Sequence, residues 1–329
     1  MNFRGLRFHI VALILFRGRL CSSFNNRPNC HASKTLSSTS LHAISTNDGF
    51  ITITRSNGSR HQLSYRIARP MALSSRQAAP IVTLHGGPSL PSSYLYPLEK
   101  VLPYRSIVYY DQLGCGKSDE PNDVSLYSIE DSVHDLKQLI KHLGVRRFHL
   151  YGHSYGGILA FEYMKAVASE KKENDVECLS AVLSSAPSDI PQLEKEFVRL
   201  TGKLTAADGT LSAEELNELF RVNYQCRLDA MPEELAYAYA NAGTVWSGTN
   251  AIANYVARPP PEDATRMPSA LITRGEFDFV SEDSVQGWKR TFNHKFLRFR
   301  TLEGCSHHGL YENGSLYGEI VDSYVTEYD

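Results

Sequence analysis

The chain has 329 residues, 42% of them hydrophobic and 21% charged, which is ordinary for a globular protein with a sizeable core. Its formal net charge is -2 with both signs interspersed, and no basic block or stripe exists to neutralise phosphates, which excludes a nucleic-acid partner. The six cysteines (Cys21, Cys30, Cys115, Cys178, Cys226, Cys305) form no CxxC and no Cys/His ligand spacing. Neither a disulfide framework nor a metal site follows from them, and no cofactor is called for.

The first 47 residues differ in composition from the rest. From Met1 to Asn47 there is no Asp or Glu, while Arg4, Arg7, Arg17, Arg19, Arg27 and Lys34 are spread through the segment. His9 to Phe16 is an apolar run, too short for the about 20 residues a spanning helix needs. It has the length of a signal-peptide apolar core, with Cys21-Ser22-Ser23 as a small-residue cleavage site. The acid-free, Ser/Thr/Asn-rich stretch that follows, with Phe24 directly after that site, resembles bipartite plastid-targeting leaders. We therefore expect residues 1–47 to be a targeting presequence, with a plastid favoured over mitochondrion or secretion. Two glycosylation sequons, at Asn57 and Asn313, matter only on a secretory route.

Beyond Asp48, strand and helix signals alternate. Phe50 to Arg55 and Gln62 to Ala68 flank Ser56-Asn57-Gly58-Ser59 and predict a hairpin. Ile81 to Leu84 and Ser106 to Tyr110 are short buried strands. Ser128 to Leu143 has helical periodicity, with Ser128 as N-cap and Gly144 as stop. Arg147 to Tyr151 predicts a strand and Tyr155 to Ala168 the helix after it. Leu179 to Ser184, Ala270 to Thr273 and Phe296 to Arg300 are further strands. This rhythm implies a mostly parallel sheet with helices on both faces. Between Pro191 and Met267 it breaks into three helical stretches, Leu193 to Leu200, Ser212 to Val222 and Pro232 to Asn241. About 75 residues is far longer than an ordinary connection. We expect an α/β core of residues 48–190 and 268–329, with residues 191–267 as an inserted helical cap.

Gly152-His-Ser154-Tyr-Gly156 is a G-x-S-x-G placed between a strand and a helix, the context of a nucleophile elbow. A serine hydroxyl needs a base to take its proton, and the base must be held in the right tautomer. In the α/β-hydrolase fold the acid and the histidine follow the serine in that order. Arg274-Gly-Glu276-Phe-Asp278 lies just past a core strand and offers Asp278 as the acid, with Glu276 as the alternative. Gly304-Cys-Ser-His307-His308 offers the histidine, of which we favour His307. The developing oxyanion needs backbone donors, each worth a factor of about 10²–10³ in rate. Tyr155, after the serine, supplies one, and Gly87 in His85-Gly86-Gly87-Pro88 the other.

Together these motifs resemble one family, the proline iminopeptidases (prolyl aminopeptidases) of the α/β-hydrolase superfamily. His85-Gly-Gly-Pro88 resembles the start of that family's H-G-G-P-G, and Asp111-Gln-Leu-Gly-Cys-Gly-Lys-Ser118 its D-Q-x-G-x-G-x-S. Gly152 to Gly157 resembles its G-x-S-[WY]-G-G, Gly275-Glu-Phe-Asp278 its G-x-x-D, and Gly304 to His307 the segment ending in its catalytic histidine. The last match supports His307 over His308. Two departures stand out: Ser89 replaces the last Gly of H-G-G-P-G, and the carboxylates with which family members hold the substrate's free amine are missing. Asn241-Ala-Gly-Thr-Val245 and Phe279 occupy their places, both uncharged. A buried ammonium needs a paired anion, for which Asp229 and Glu276 are the nearest substitutes.

The resemblance implies a serine aminopeptidase that releases an N-terminal residue, preferably proline, from short peptides through an acyl-enzyme. The missing carboxylates leave open an amidase or esterase acting on a small uncharged acyl group. Trp246, Tyr237, Tyr239 and Phe220 are available in the cap to build either pocket. A non-catalytic binding protein on the same fold is disfavoured by the complete set of three residues, and epoxide or haloalkane hydrolysis by serine, not aspartate, at position 154.

Overall fold

The computed structural model describes residues 44–71, 78–170, 176–207, 210–262, 267–292 and 294–329. The targeting leader expected from composition therefore lies outside the described residues, apart from its last four positions. Those four begin the first strand: β1 (Ile44–Thr54) pairs antiparallel with β2 (Arg60–Pro70), Ile44 opposite Pro70 and Asn47 opposite Ile67. The boundary expected at residue 47 thus falls inside a strand. The hairpin turn is where the sequence puts it. Arg55 N–H donates to the Ser59 carbonyl at 2.9 Å, and Gly58 takes the left-handed conformation (φ 83°) the turn requires.

The remaining strands are β3 (Ile81–Leu84), β4 (Ile107–Tyr110), β5 (Arg147–His153), β6 (Glu177–Ser184), β7 (Ser269–Gly275) and β8 (Leu297–Leu302). They form one eight-stranded sheet in the order β1-β2-β4-β3-β5-β6-β7-β8. β2 meets β4 antiparallel, and every neighbouring pair from β4 to β8 is parallel. Alternation of side chains about the strand axis explains the apolar runs. Val82, Val108, Leu150, Ala181 and Ile272 join a core on one face, while Ile81, Ile107, Tyr151, Val182 and Leu271 join a second core on the other.

Helix α1 (Ile129–Leu143) starts at Ser128, whose hydroxyl accepts the Asp131 N–H at 2.9 Å, and stops at Gly144 in the left-handed region. α2 (Tyr155–Ala168) is apolar on nearly every side and buried on the first core. Between β6 and β7 the chain runs through α3 (Ile190–Ala207), α4 (Ala213–Phe220), a π-turn at Arg221–Gln225 and α5 (Glu233–Ala240). This is the span that the sequence assigns to a cap. A final helix, α6 (Gly314–Thr326), covers the second core with Tyr317, Val321, Tyr324 and Val325. Among the described residues no helix is long and apolar enough to cross a membrane.

The layout matters because each strand from β3 to β8 ends at the same edge of the sheet, and the loops leaving that edge carry the residues singled out above. The first core behind them is dense, and its largest side chain is Trp288, fully buried and donating its indole N–H to the Ala186 carbonyl at 2.9 Å. Truncating it leaves a large cavity and an orphaned carbonyl. Trp288→Ala is expected to lower the unfolding free energy by about 3–5 kcal/mol, read from denaturant unfolding curves.

Candidate active site

Ser154 sits between β5 and α2 with φ 55° and ψ -120°. Such a conformation costs a non-glycine residue on the order of 1–3 kcal/mol and persists only where the surroundings impose it. Here Ser154 N–H donates to the Ser184 carbonyl at 2.8 Å, and Gly157 N–H closes the turn onto the Ser154 carbonyl at 2.9 Å. Two glycines make the turn possible. A Cβ on Gly152 would lie 2.2 Å from the Gly156 carbonyl oxygen, and one on Gly156 would lie 2.0 Å from that of Leu84.

Asp278, in the loop after β7, is buried, and its Oδ1 accepts both His307 Nδ1–H at 2.9 Å and Val280 N–H at 2.8 Å. This sets the tautomer of His307 and leaves Nε2 as the free lone pair. The loop bearing His307 is itself pinned. Glu312 accepts Ser306 N–H and Ser306 Oγ–H, both at 2.5 Å, and also Arg227 N–H from the cap at 2.5 Å. The Tyr224 carbonyl, at the cap's π-turn, accepts N–H groups from both His307 (3.4 Å) and Phe279 (3.3 Å). π-turns of this kind are frequent at functional sites. The neighbouring candidates are used otherwise: His308 bonds Tyr239 Oη at 2.9 Å, and Glu276 is exposed and accepts Gly304 N–H at 2.9 Å. Ser154 and His307 line the same pocket. Among the described residues no hydrogen bond links them, and bonds of this type commonly tighten only around a substrate.

The His85-Gly86-Gly87-Pro88 loop leaves β3 beside Ser154, close enough that a Cβ on Gly86 would come within 3.1 Å of the Ser154 Cβ. Gly86 N–H is engaged by the Tyr94 hydroxyl at 2.7 Å, so Gly87 N–H is the next donor along the loop. The segment from Asp111 to Ser118 braces this loop. Gln112 N–H donates to His85 Nε2 at 2.9 Å and its side-chain amide to the His85 carbonyl at 3.1 Å. His85 Nδ1–H then donates to the Gly86 carbonyl at 3.0 Å. Asp111 accepts from Ser92 N–H and Oγ–H (2.8 Å each) and from Lys117 N–H (2.9 Å). From the span between β6 and β7, Gly243 N–H donates to the Ser89 carbonyl at 3.0 Å.

The pocket so lined lies between the Gly86–Leu90 loop, Ser154 and the two histidines His307 and His308. Leu193, Phe197, Phe220 and Phe279 form its apolar wall, and the Phe279 ring lies 4.2 Å from that of His307. None of the three side chains nominated for substrate binding reaches it. Asp229 lies exposed beyond the π-turn, Glu276 caps the Gly304 amide, and Trp246 is stacked on Tyr127 and set edge-on to Tyr155. Among the described residues the one carboxylate that lines the pocket is Glu194 on α3, and partial burial raises its pKa. The helical spacing of Leu193, Glu194 and Phe197 on one face was the available signal for it.

A mostly parallel sheet, a strained serine elbow after β5, a carboxylate after β7 and a histidine after β8 define an α/β-hydrolase. Residues 81–316 match the Alpha/beta hydrolase family. A proline iminopeptidase from Heyndrickxia coagulans is 32% identical over 270 residues, covering 75% of this chain and 90% of that protein. One from Saccharolobus solfataricus is 29% identical over 272 residues, covering 75% and 84%. The fold also resembles the crystal structure of a proline iminopeptidase from Mycobacterium smegmatis, with a TM-score of 0.71 at 18% identity over 85% of this chain and 98% of that one. The chain belongs to the proline iminopeptidase family, and it is a hydrolase.

Burial also sets the charge state of several histidines, three of them near the site and His149 farther back on β5, bonded to Ser180 and Asp329. It lowers the pKa of His153 to about 3, lowers that of His149 to about 4, and lowers those of His85 and His308 as well. The unfolded chain takes up protons near pH 6.5 that these folded, neutral imidazoles refuse, so the stability is complete above about pH 7 and is lost as pH falls. The unfolding free energy is expected to drop between pH 7 and pH 5, each such histidine steepening the fall by up to about 1.4 kcal/mol per pH unit, as measured by denaturant titration across that range.

Proposed function

We propose that the protein is an aminopeptidase that releases an N-terminal residue, preferably proline, from short peptides through an acyl-enzyme on Ser154. The observation that carries this reading is the hydrogen bond from His307 Nδ1–H to buried Asp278, at the wall of the pocket that Ser154 also lines. His307 Nε2 takes the Ser154 hydroxyl proton as the oxygen attacks the carbonyl carbon. The oxyanion so formed is received by the N–H groups of Gly87 and Tyr155. His307 then returns the proton to the leaving amine as the C–N bond breaks, and water, activated by the same histidine, releases the acyl group. Asp278 orients the imidazole and stabilises its charged form.

Within this reading Glu194 takes the part of the absent family carboxylates. A substrate ammonium entering an apolar pocket needs an anion, and Glu194 is the acid on the wall, beside phenylalanines suited to a pyrrolidine ring. Phe279 standing against His307, and the burial that favours the uncharged form of Glu194, instead favour the second reading, an amidase or esterase for a small uncharged acyl group.

The two readings separate on three substrates: proline β-naphthylamide, its N-acetylated analogue and a short-chain p-nitrophenyl ester. Turnover of the free-amine substrate in preference to the acetylated one is expected; turnover of the acetylated and ester substrates alone would replace the first reading by the second. Ser154→Ala is expected to abolish activity, and Asp278→Asn to lower kcat by about 10⁴. Glu194→Gln should raise KM for the free-amine substrate by roughly 10-fold to 100-fold, the worth of a hydrogen bond to a charged group, and leave the ester unaffected. The role of residues 1–47 as a leader rests on composition. A fusion of that segment to a fluorescent protein is expected to reach an organelle, the plastid first, and diffuse fluorescence would rule the leader out.

A further inference from the structure

We infer that Tyr94 and His153 are positioning residues that tie the oxyanion loop to the main chain of His307 through one continuous hydrogen-bonded chain, keeping donor and base in register around Ser154. The inference rests on the reading of Ser154 as nucleophile. Tyr94 lies on a short 3₁₀ turn (Ser92–Leu95) anchored at Ser92 by Asp111, and both Tyr94 and His153 are buried. The Tyr94 oxygen is 2.7 Å from Gly86 N and 3.0 Å from His153 Nδ1, and His153 Nε2 is 3.0 Å from the His307 carbonyl oxygen.

The two ends of this chain fix its proton positions. Gly86 N–H can only donate and the His307 carbonyl can only accept. His153 must therefore carry its proton on Nε2, Nδ1 must accept, and the Tyr94 hydroxyl must donate to it while receiving Gly86 N–H. Every donor and acceptor is satisfied in this single arrangement, and it requires a neutral imidazole. Burial keeps His153 neutral, lowering its pKa to about 3, with the rings of His307 and His308 at 4.8 Å and 5.2 Å adding no counter-charge. His153 is also the residue before Ser154, so the same peptide that carries the nucleophile carries the link.

Neither side chain has a part in making or breaking bonds of the substrate; their effect is on alignment, to which such reactions are sensitive at the ångström scale. Tyr94→Phe keeps the ring and removes the link. It is expected to lower kcat by about 10-fold to 100-fold for both amide and ester substrates with KM nearly unchanged, and to slow fluorophosphonate labelling of Ser154 by a similar factor. His153→Gln can reproduce the link, its amide oxygen accepting from Tyr94 and its N–H donating to the His307 carbonyl, whereas His153→Leu cannot. Glutamine should therefore retain more kcat than leucine at similar folded content by circular dichroism. Wild-type kcat and labelling rate in Tyr94→Phe, an effect confined to KM, or equal kcat in the two His153 variants would overturn the inference. If Tyr94→Phe does not fold, the His153 pair decides alone. Wild-type protein that resists labelling, or Ser154→Ala that still labels, would bring down the nucleophile reading itself, and with it this inference.

Discussion

The arrangement at the sheet edge depends on a buried imidazole–carboxylate hydrogen bond, 2.9 Å between His307 Nδ1 and Asp278 Oδ1. A carboxylate taken out of water is costly unless it is paired, and removing one member of such a pair leaves the other uncompensated. The bond also selects the tautomer that leaves Nε2 able to accept a proton. Its two partners stand 29 residues apart, on loops from adjacent parallel strands. The β7–β8 register brings the two loops side by side.

Much of the remaining structure serves to hold that edge still. In the span between β6 and β7, the Tyr224 carbonyl of the π-turn receives N–H groups from the loops of both Asp278 and His307. Glu312 joins the cap's Arg227 amide to Ser306, next to His307. On the opposite side, Asp111 and Gln112 bond the loop that carries Gly87 in place. The motif from Asp111 to Ser118 is the longest of the family's signatures in this chain, and its Asp111, Gln112 and Ser118 side chains bond backbone groups. A loop proposed to present one N–H at a fixed point needs its other polar groups satisfied elsewhere, and this segment bonds the carbonyl and ring of His85.

The residues proposed to carry the chemistry were nominated from the sequence because each is tied to local punctuation. Gly152 and Gly156 announce a strained turn, Gly275 and Gly304 precede the loops of Asp278 and His307, and strand periodicity places all of them at one edge. The pocket was legible only in part. Phe220 and Tyr239, offered by the sequence, do line it, and Tyr237 and Trp246 do not; nothing local distinguishes Glu194 and Phe197 from surface or core residues of the same types. Asp229, Glu276 and Trp246 were plausible by charge and neighbourhood in the chain, yet one is exposed, one satisfies a backbone amide and one packs on Tyr127.

The amino-acid sequence by itself determined the strand and helix rhythm, the elbow and the order of serine, acid and histidine, because backbone conformation and hydrophobic period are properties of neighbours in the chain. The tertiary structure alone decided which acid faces the pocket and how Gly86, Tyr94, His153 and His307 come to share one line of hydrogen bonds. Such contacts join residues up to 154 positions apart. Their geometry is set by how the cap packs on the sheet, which no local pattern encodes.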